Sequence, residues 1–107
     1  MNIELFYFDG CPNHERALEI IKQALLDCDL KADIKRVNIK DEQDATAKRF
    51  LGSPSVRIDG RDLEMVDELN VTYFMRCRRY RDGEKIIGYP PKQLVMDMLR
   101  RASGIER

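Results

Sequence analysis

The chain has 107 residues, 43% hydrophobic and 36% charged, which suffices for one domain with its own core and excludes dependence on a disulfide framework. Nineteen basic and nineteen acidic side chains cancel, which excludes the strong global field that attracts nucleic acid or a membrane surface. The start lacks a basic segment with an apolar run, and the three cysteines are an odd number. We expect a single domain over 1–107 in the reducing cytoplasm, with no membrane or nucleic-acid partner.

The first part of the chain predicts a strand, a helix and a second strand. Ile3 to Phe8 is almost wholly apolar, which is typical of a central strand buried on both faces. An apolar stripe at helical spacing runs from Ala17 to Cys28. Cys28 closes this stripe, so we interpret it as a small buried hydrophobe. The second strand is predicted over 32–39, with an irregularity near Lys35-Arg36.

A second helix is predicted from the acidic turn at Asp41 to Asp44, because acidic side chains suit a helix N-terminus. Its expected apolar edge consists of Ala47, Phe50 and Leu51, and Gly52 is the expected residue just past its end. The predicted helix therefore starts at Asp41 and continues to about Leu51.

A hairpin follows this helix in the prediction. Val56 and Ile58 indicate a short strand, and Asp59-Gly60 is a strong signal for a two-residue turn. Arg61 to Glu64 would form the return strand. Residues 65–71 fit either a short helix or a loop.

The last third combines extended segments with a final helix. Tyr73 to Tyr80 is extended in character, Asp82-Gly83 predicts a turn, and Lys85 to Gly88 is expected to pair back. After a rigid Tyr-Pro-Pro segment, Leu94 to Ala102 has the apolar spacing of a helix. The order β-α-β-α-β-β-α, with an elaboration before the last helix, predicts an α/β fold. We expect a mixed four-stranded sheet with helices on both faces.

One cysteine lies where the first strand gives way to the first helix, in Asp9-Gly10-Cys11-Pro12-Asn13-His14. Proline is favoured at the first helical position, which would put Cys11 at or next to the N-cap. Free backbone N–H groups and the helix dipole would then favour its thiolate, making it a nucleophile or metal ligand. His14, one turn on, is either a partner of that sulfur and a proton carrier or an exposed surface residue.

At this point the chain resembles the thioredoxin-like superfamily. The resemblance depends on Cys11-Pro12 at the strand-to-helix junction, on the element order, and on Gly52-Ser53-Pro54-Ser55-Val56 before the third strand. It implies a cis-proline at Pro54, which follows the reactive Cys11 by 43 residues. It also implies that Pro12, Ser53 and Pro54 bind substrate, with the Ser53 backbone facing the sulfur and pairing with an extended substrate segment.

More narrowly, the chain is similar to short prokaryotic thioredoxin-like proteins, some of them labelled relatives of alkylmercury lyase. The shared motifs stand here as Asp9-Gly10-Cys11-Pro12, Gly52-Ser53-Pro54-Ser55, Asp59-Gly60-Arg61 and Cys77-Arg78-Arg79-Tyr80. The chain departs from standard thioredoxin at His14, where a dithiol motif has its second cysteine. The usual two-cysteine cycle therefore needs another thiol.

Cys77 is the candidate for that second thiol. It stands among four arginines within six residues, from Arg76 to Arg81. If this stretch is extended, Arg76 and Arg78 share one face and Cys77 lies on the other. The guanidinium groups would favour the Cys77 thiolate and bind a carboxylate or phosphate of the substrate; the alternative is arginines paired with Asp or Glu on a solvated strand.

Three functions follow from these residues. The first is a thiol-based redox or thiol-transfer protein, with Cys11 as nucleophile, Cys77 as resolving thiol and His14 as possible acid/base, acting on a protein or small-molecule thiol or disulfide. The second is a soft-metal or metalloid carrier that uses Cys11, His14 and Cys77, although the spacing shows no zinc-type pair and we predict no resident metal or cofactor. The third is an interaction module without chemistry, marked by an apolar patch around Phe74, Met75 and Tyr89.

Overall fold

The computed structural model describes residues 1–64 and 69–104. Along the chain its elements are β1 (Ile3–Tyr7), α1 (His14–Asp27), β2 (Ile34–Asn38), α2 (Glu42–Ala47), β3 (Ser55–Ile58), β4 (Arg61–Asp62), β5 (Tyr80–Asp82), β6 (Lys85–Ile87) and α3 (Lys92–Ser103). The predicted order is confirmed, and the elaboration before α3 contains the β5–β6 hairpin. The short helix or loop predicted over 65–71 falls largely on residues 65–68, which lie outside the described residues.

The main sheet has four strands in the order β2-β1-β3-β4. β1 pairs with β2 in parallel and with β3 antiparallel, and β4 pairs antiparallel with β3. The mixed four-stranded sheet is therefore confirmed. The predicted irregularity near Lys35 and Arg36 is wrong, since β2 stays in continuous register with β1 from Ile34 to Asn38. Both side chains are exposed because β2 is an edge strand.

β1 packs on both of its faces, as its apolar sequence predicts. Ile3 and Leu5 belong to a core that α1 and α3 cover, whereas Phe6 belongs to a second core with Ala45 and Phe50. Successive side chains of a strand point to opposite faces, so these cores lie on the two sides of the sheet. The expected helices on both faces are confirmed.

The two long helices follow their predicted stripes. α1 buries Ala17, Ile21, Ala24 and Leu25, and Cys28 joins the same core at 8% exposure, as predicted for a small buried hydrophobe. α3 likewise buries one face and ends at Gly104, whose φ of 79° provides a left-handed C-cap.

The second helix is shorter than predicted. It ends at Ala47, which is exposed, and Phe50 and Leu51 enter the core from the segment beyond it. The return strand of the hairpin is also shorter, covering Arg61–Asp62 alone. The hairpin turn itself is confirmed, with φ of 52° at Asp59 and 83° at Gly60.

Asp41 caps α2, and its removal should weaken the fold measurably. Its side chain accepts a hydrogen bond of 2.8 Å from the backbone N–H of Asp44. We expect Asp41→Ala to lower the free energy of unfolding by about 1 kcal/mol, because one N–H of the first turn loses its partner. Urea denaturation of the two proteins measures this difference. An equally stable Asp41→Ala variant would show that the cap contributes nothing.

No helix within residues 1–64 and 69–104 is both long and apolar enough to cross a membrane.

Candidate functional site

Cys11 lies in the turn between β1 and α1, two residues before the N-cap. Its backbone N–H donates to the carbonyl of Phe8 at 3.0 Å, which closes the turn after the strand. The N-cap is Asn13 and α1 begins at His14, so the prediction that Cys11 stands at or next to the N-cap is one residue off. Pro12 occupies the turn and is exposed.

The sulfur of Cys11 is covered and faces a carbonyl oxygen. The residue is 3% exposed, and its thiol donates to the carbonyl of Ser53 over 3.6 Å. The partner of the sulfur is therefore an acceptor, where the sequence led us to expect amide N–H groups. The Ser53–Pro54 peptide bond beside it is cis. Strand β1 and the loop before β3 bring Cys11 and Ser53 together from positions far apart in sequence, because β1 and β3 are neighbours in the sheet.

Ser53 pairs along its backbone with the segment that contains Cys77. Its N–H donates to the carbonyl of Arg76 at 2.8 Å, and its carbonyl accepts from the N–H of Arg78 at 2.9 Å. Ser53 and Cys77 are thus opposite each other in a parallel β-bridge. The backbone groups that the resemblance assigns to an extended substrate are occupied by the chain itself.

The segment around Cys77 alternates between the two faces, as an extended conformation predicts. Arg78 and Tyr80 are buried, whereas Cys77, Arg79 and Arg81 are exposed. Cys77 is the exposed thiol of the chain, since Cys11 and Cys28 are buried.

Arg76 is half-buried on this segment and is held by local contacts. Its Nε donates to the carbonyl of Leu51 at 3.4 Å, and its guanidinium lies 4.8 Å from the ring centre of Phe74. It remains partly accessible, and the substrate-binding role stays a prediction.

The guanidinium of Arg78 is engaged in a buried cluster of ion pairs. It donates to both carboxylate oxygens of Asp62, at 2.7 and 2.6 Å, to Glu64 at 3.0 Å and to the hydroxyl of Ser55 at 3.1 Å. Burial alone would lower the pKa of Arg78, but the hydrogen bonds to Asp62 raise it above its ordinary value. Arg78 is therefore a structural residue, and the prediction that it binds substrate is corrected.

Tyr80 ties the same segment to the cis-proline loop. Its hydroxyl donates to the carbonyl of Pro54 at 2.7 Å, and the residue is 1% exposed. The Arg78 guanidinium lies 4.7 Å from the ring centre. Burial raises the pKa of Tyr80 well above its ordinary value, since the phenolate would lose its hydration.

His14 contacts the backbone of Cys11 rather than its sulfur. Its Nδ1 lies 3.0 Å from the Cys11 carbonyl oxygen and its Nε2 lies 3.1 Å from a carboxylate oxygen of Glu15. The imidazole also stacks on Tyr7, with ring centres 4.4 Å apart. The predicted partnership with the sulfur is therefore corrected: as the first residue of α1, His14 holds the turn that carries Cys11.

The proposed metal ligands do not form a cluster. In the part of the chain that the structure describes, no group of three or more His, Cys, Asp or Glu side chains is placed to hold a metal ion. The engagement of His14 with Glu15 and with the Cys11 carbonyl agrees with this. Cys11, His14 and Cys77 therefore do not form a three-ligand group in this part of the chain.

Sequence reasoning missed the partners that hold the Cys77 segment in place. Asp62 and Glu64 are two residues apart, and so are Arg78 and Tyr80, so each pair lies on one face of its extended segment. The spacing of the two acids, which places both on one face where a single arginine can meet them, was the available signal. It does not reveal which acids meet which arginine, because the partners lie 14 to 16 residues apart.

Comparisons of this chain with family models, with curated proteins and with solved structures found no match.

Proposed function

We propose that the chain has a thioredoxin-like fold and works as a thiol-based redox or thiol-transfer protein through Cys11 and Cys77. The fold proposal is supported by the sheet order β2-β1-β3-β4 and by Cys11 following β1 while Ser53-Pro54 precedes β3. The functional proposal depends on one observation. The carbonyl of Ser53 contacts the sulfur of Cys11, and Ser53 is also the pairing partner of Cys77.

The sequence predicts Cys11 as the attacking thiol and Cys77 as the resolving thiol, but the difference in their exposure supports the opposite order. Exposed Cys77, as thiolate, attacks a disulfide R–S–S–R, forms a mixed disulfide with one sulfur and releases the other as RS⁻. Cys11, once deprotonated, attacks the Cys77 sulfur and releases the second RS⁻. The products are a Cys11–Cys77 disulfide and two thiols, so the protein is oxidised by two electrons and the substrate is reduced. A dithiol returns the protein to its reduced form by the reverse exchange.

Mapping the disulfide after oxidation tests this function. We expect treatment with a small-molecule disulfide to give one intramolecular Cys11–Cys77 bond, which tryptic mass spectrometry identifies without reduction. Such a bond requires the two Cα atoms to approach within about 7 Å. Cys28→Ser is the control, because this buried core thiol takes no part and its removal should leave the bond intact.

Two single variants define the order of the steps. Cys11→Ser should accumulate the mixed disulfide at Cys77, whereas Cys77→Ser should react slowly, because its remaining thiols are buried. Rapid reaction of Cys77→Ser would contradict the order proposed. No intramolecular bond under any oxidising condition would contradict the function.

The burial of Cys11 favours a second candidate, an interaction module without chemistry. Its sulfur donates to a carbonyl at 3% exposure, a setting that protects a thiol from reagents. The patch expected for this candidate is only partly present. Phe74 is 38% exposed, whereas Met75 packs against the core with Phe6 and Phe50, and Tyr89 lies 5.2 Å from the guanidinium of Arg16. If neither Cys11 nor Cys77 reacts in the oxidation experiment, the interaction module is the supported function.

A further inference from the structure

Residues 76–80, the covering segment, lie over the loop that contacts the sulfur of Cys11. Both backbone hydrogen-bonding groups of Ser53 are bonded to this segment, and the Cys11 sulfur lies against the same Ser53 carbonyl. Ser53 is wholly buried beneath it. Its hydroxyl is buried without a hydrogen-bond partner among the residues that the structure describes. The covering segment therefore satisfies the backbone hydrogen-bonding groups of Ser53 but not its hydroxyl.

Side chains anchor the covering segment at two further points. Arg78 is held by Asp62 and Glu64, and Tyr80 is held by the carbonyl of Pro54. Both anchors lie on the inward face, while Cys77 and Arg79 face solvent. The contact with the loop is also close, because a methyl group added at Gly52 would come within 2.8 Å of the Arg78 Cβ.

We propose that the covering segment is a built-in lid that regulates Cys11, so that reagents and partners reach this thiol only when residues 76–80 lift from Ser53. The significance of the lid for redox chemistry rests on the proposed function. An extended polypeptide that pairs with Ser53 must displace the lid, since it needs the same two backbone groups. A small disulfide forms the mixed disulfide at Cys77 without such displacement, and only the second step, attack by Cys11, requires the lid to move. The lid therefore separates extended polypeptide substrates from small disulfides at the first step.

Alkylation rates of the buried thiols test the lid in a Cys77→Ser background, in which the exposed thiol cannot interfere. Cys28 is an internal reference, because it lies in the core away from the lid and reports broader opening. Gly52→Ala should push the lid outward through its contact with Arg78, and Tyr80→Phe should release one anchor. For each variant we expect Cys11 to be alkylated roughly tenfold faster. Cys28 should be accelerated only by the factor that the loss of global stability produces, about fivefold for a loss of 1 kcal/mol.

Gly104→Ala is the matched control for Gly52→Ala. Both glycines have positive φ, 116° and 79°, so both substitutions strain the backbone. An added methyl at Gly104 meets nothing within 4 Å, and this variant should leave the Cys11 rate unchanged.

Two outcomes overturn the lid. The first compares two rates: that of Cys11 in the Cys77→Ser protein and that of Cys77 in a Cys11→Ser protein. Equal rates would mean that nothing covers the Cys11 sulfur. The other is acceleration of Cys11 and Cys28 by the same factor in Gly52→Ala and Tyr80→Phe, which would mean that Cys11 opens only with the core. Alkylation requires no disulfide exchange. The alkylation test can therefore contradict the lid while the redox function stands, and the oxidation test can contradict the redox function while the lid stands.

Discussion

Replacing Arg78 with alanine is expected to lower the free energy of unfolding by about 3–5 kcal/mol. The side chain is 8% exposed and holds the 9%-exposed carboxylate of Asp62 through two hydrogen bonds. Without the guanidinium, that carboxylate stays buried and loses both hydrogen bonds to Arg78, although Arg57, its pairing partner on β3, still attracts it. Ser55 also loses its contact with Nη1. The cost arises mainly from the carboxylate left behind, because a buried pair often contributes little net stability over an apolar pair.

The neighbouring Arg79 provides a matched control. It is exposed, has the same chemistry and lies on the opposite face of the segment. Arg79→Ala should therefore change the free energy of unfolding by no more than about 0.5 kcal/mol. Urea denaturation of both variants gives the comparison. Equal losses would show that the ion pairs with Asp62 and Glu64 do not hold the segment.

The fold was largely predictable where local sequence decides the structure. The almost wholly apolar run from Ile3 indicated a strand buried on both faces, and the Ala17–Cys28 stripe indicated a helix with one buried face. Asp59-Gly60 indicated the hairpin, since few residue pairs tolerate two successive positive φ values. Errors concentrated at element ends. Phe50 and Leu51 are apolar because the chain turns into the core after α2, not because α2 continues through them.

The candidate site was predictable in its members but not in its arrangement. The motifs singled out Cys11, Ser53 and Cys77, and the structure places Ser53 against both cysteines. Exposure could not be foreseen, because the carbonyl that faces the Cys11 sulfur belongs to Ser53, which lies 42 residues later, and Ser53 in turn pairs with residues still later in the chain. The same holds for Arg78, whose role depends on carboxylates of another strand. Spacing within a segment reveals which side chains share a face, but not what that face meets.

Tyr80 should make the fold sensitive to alkaline pH. Burial raises its pKa in the folded protein above the ordinary value of 10.0, whereas in the unfolded chain it ionises normally. Above pH 10 the unfolded state therefore releases a proton that the folded state retains, and the free energy of unfolding falls as pH rises. The stabilisation is fully present below pH 10 and is lost above it. Tyr80 contributes a loss approaching about 1.4 kcal/mol per pH unit in this range.

Tyr80→Phe isolates this contribution, because other groups titrate alike in both proteins. The variant loses the hydrogen bond to Pro54 and should be about 1 kcal/mol less stable at neutral pH. Between about pH 10 and pH 11.5, however, its stability should fall less steeply than that of the parent, so the two curves converge. Urea denaturation across this range measures both slopes, and absorbance near 295 nm reports the phenolate. Two results would contradict this: parallel stability curves for the two proteins, or one more phenolate in the folded parent than in the folded variant just above pH 10. Either result would mean that the Tyr80 hydroxyl reaches water without unfolding.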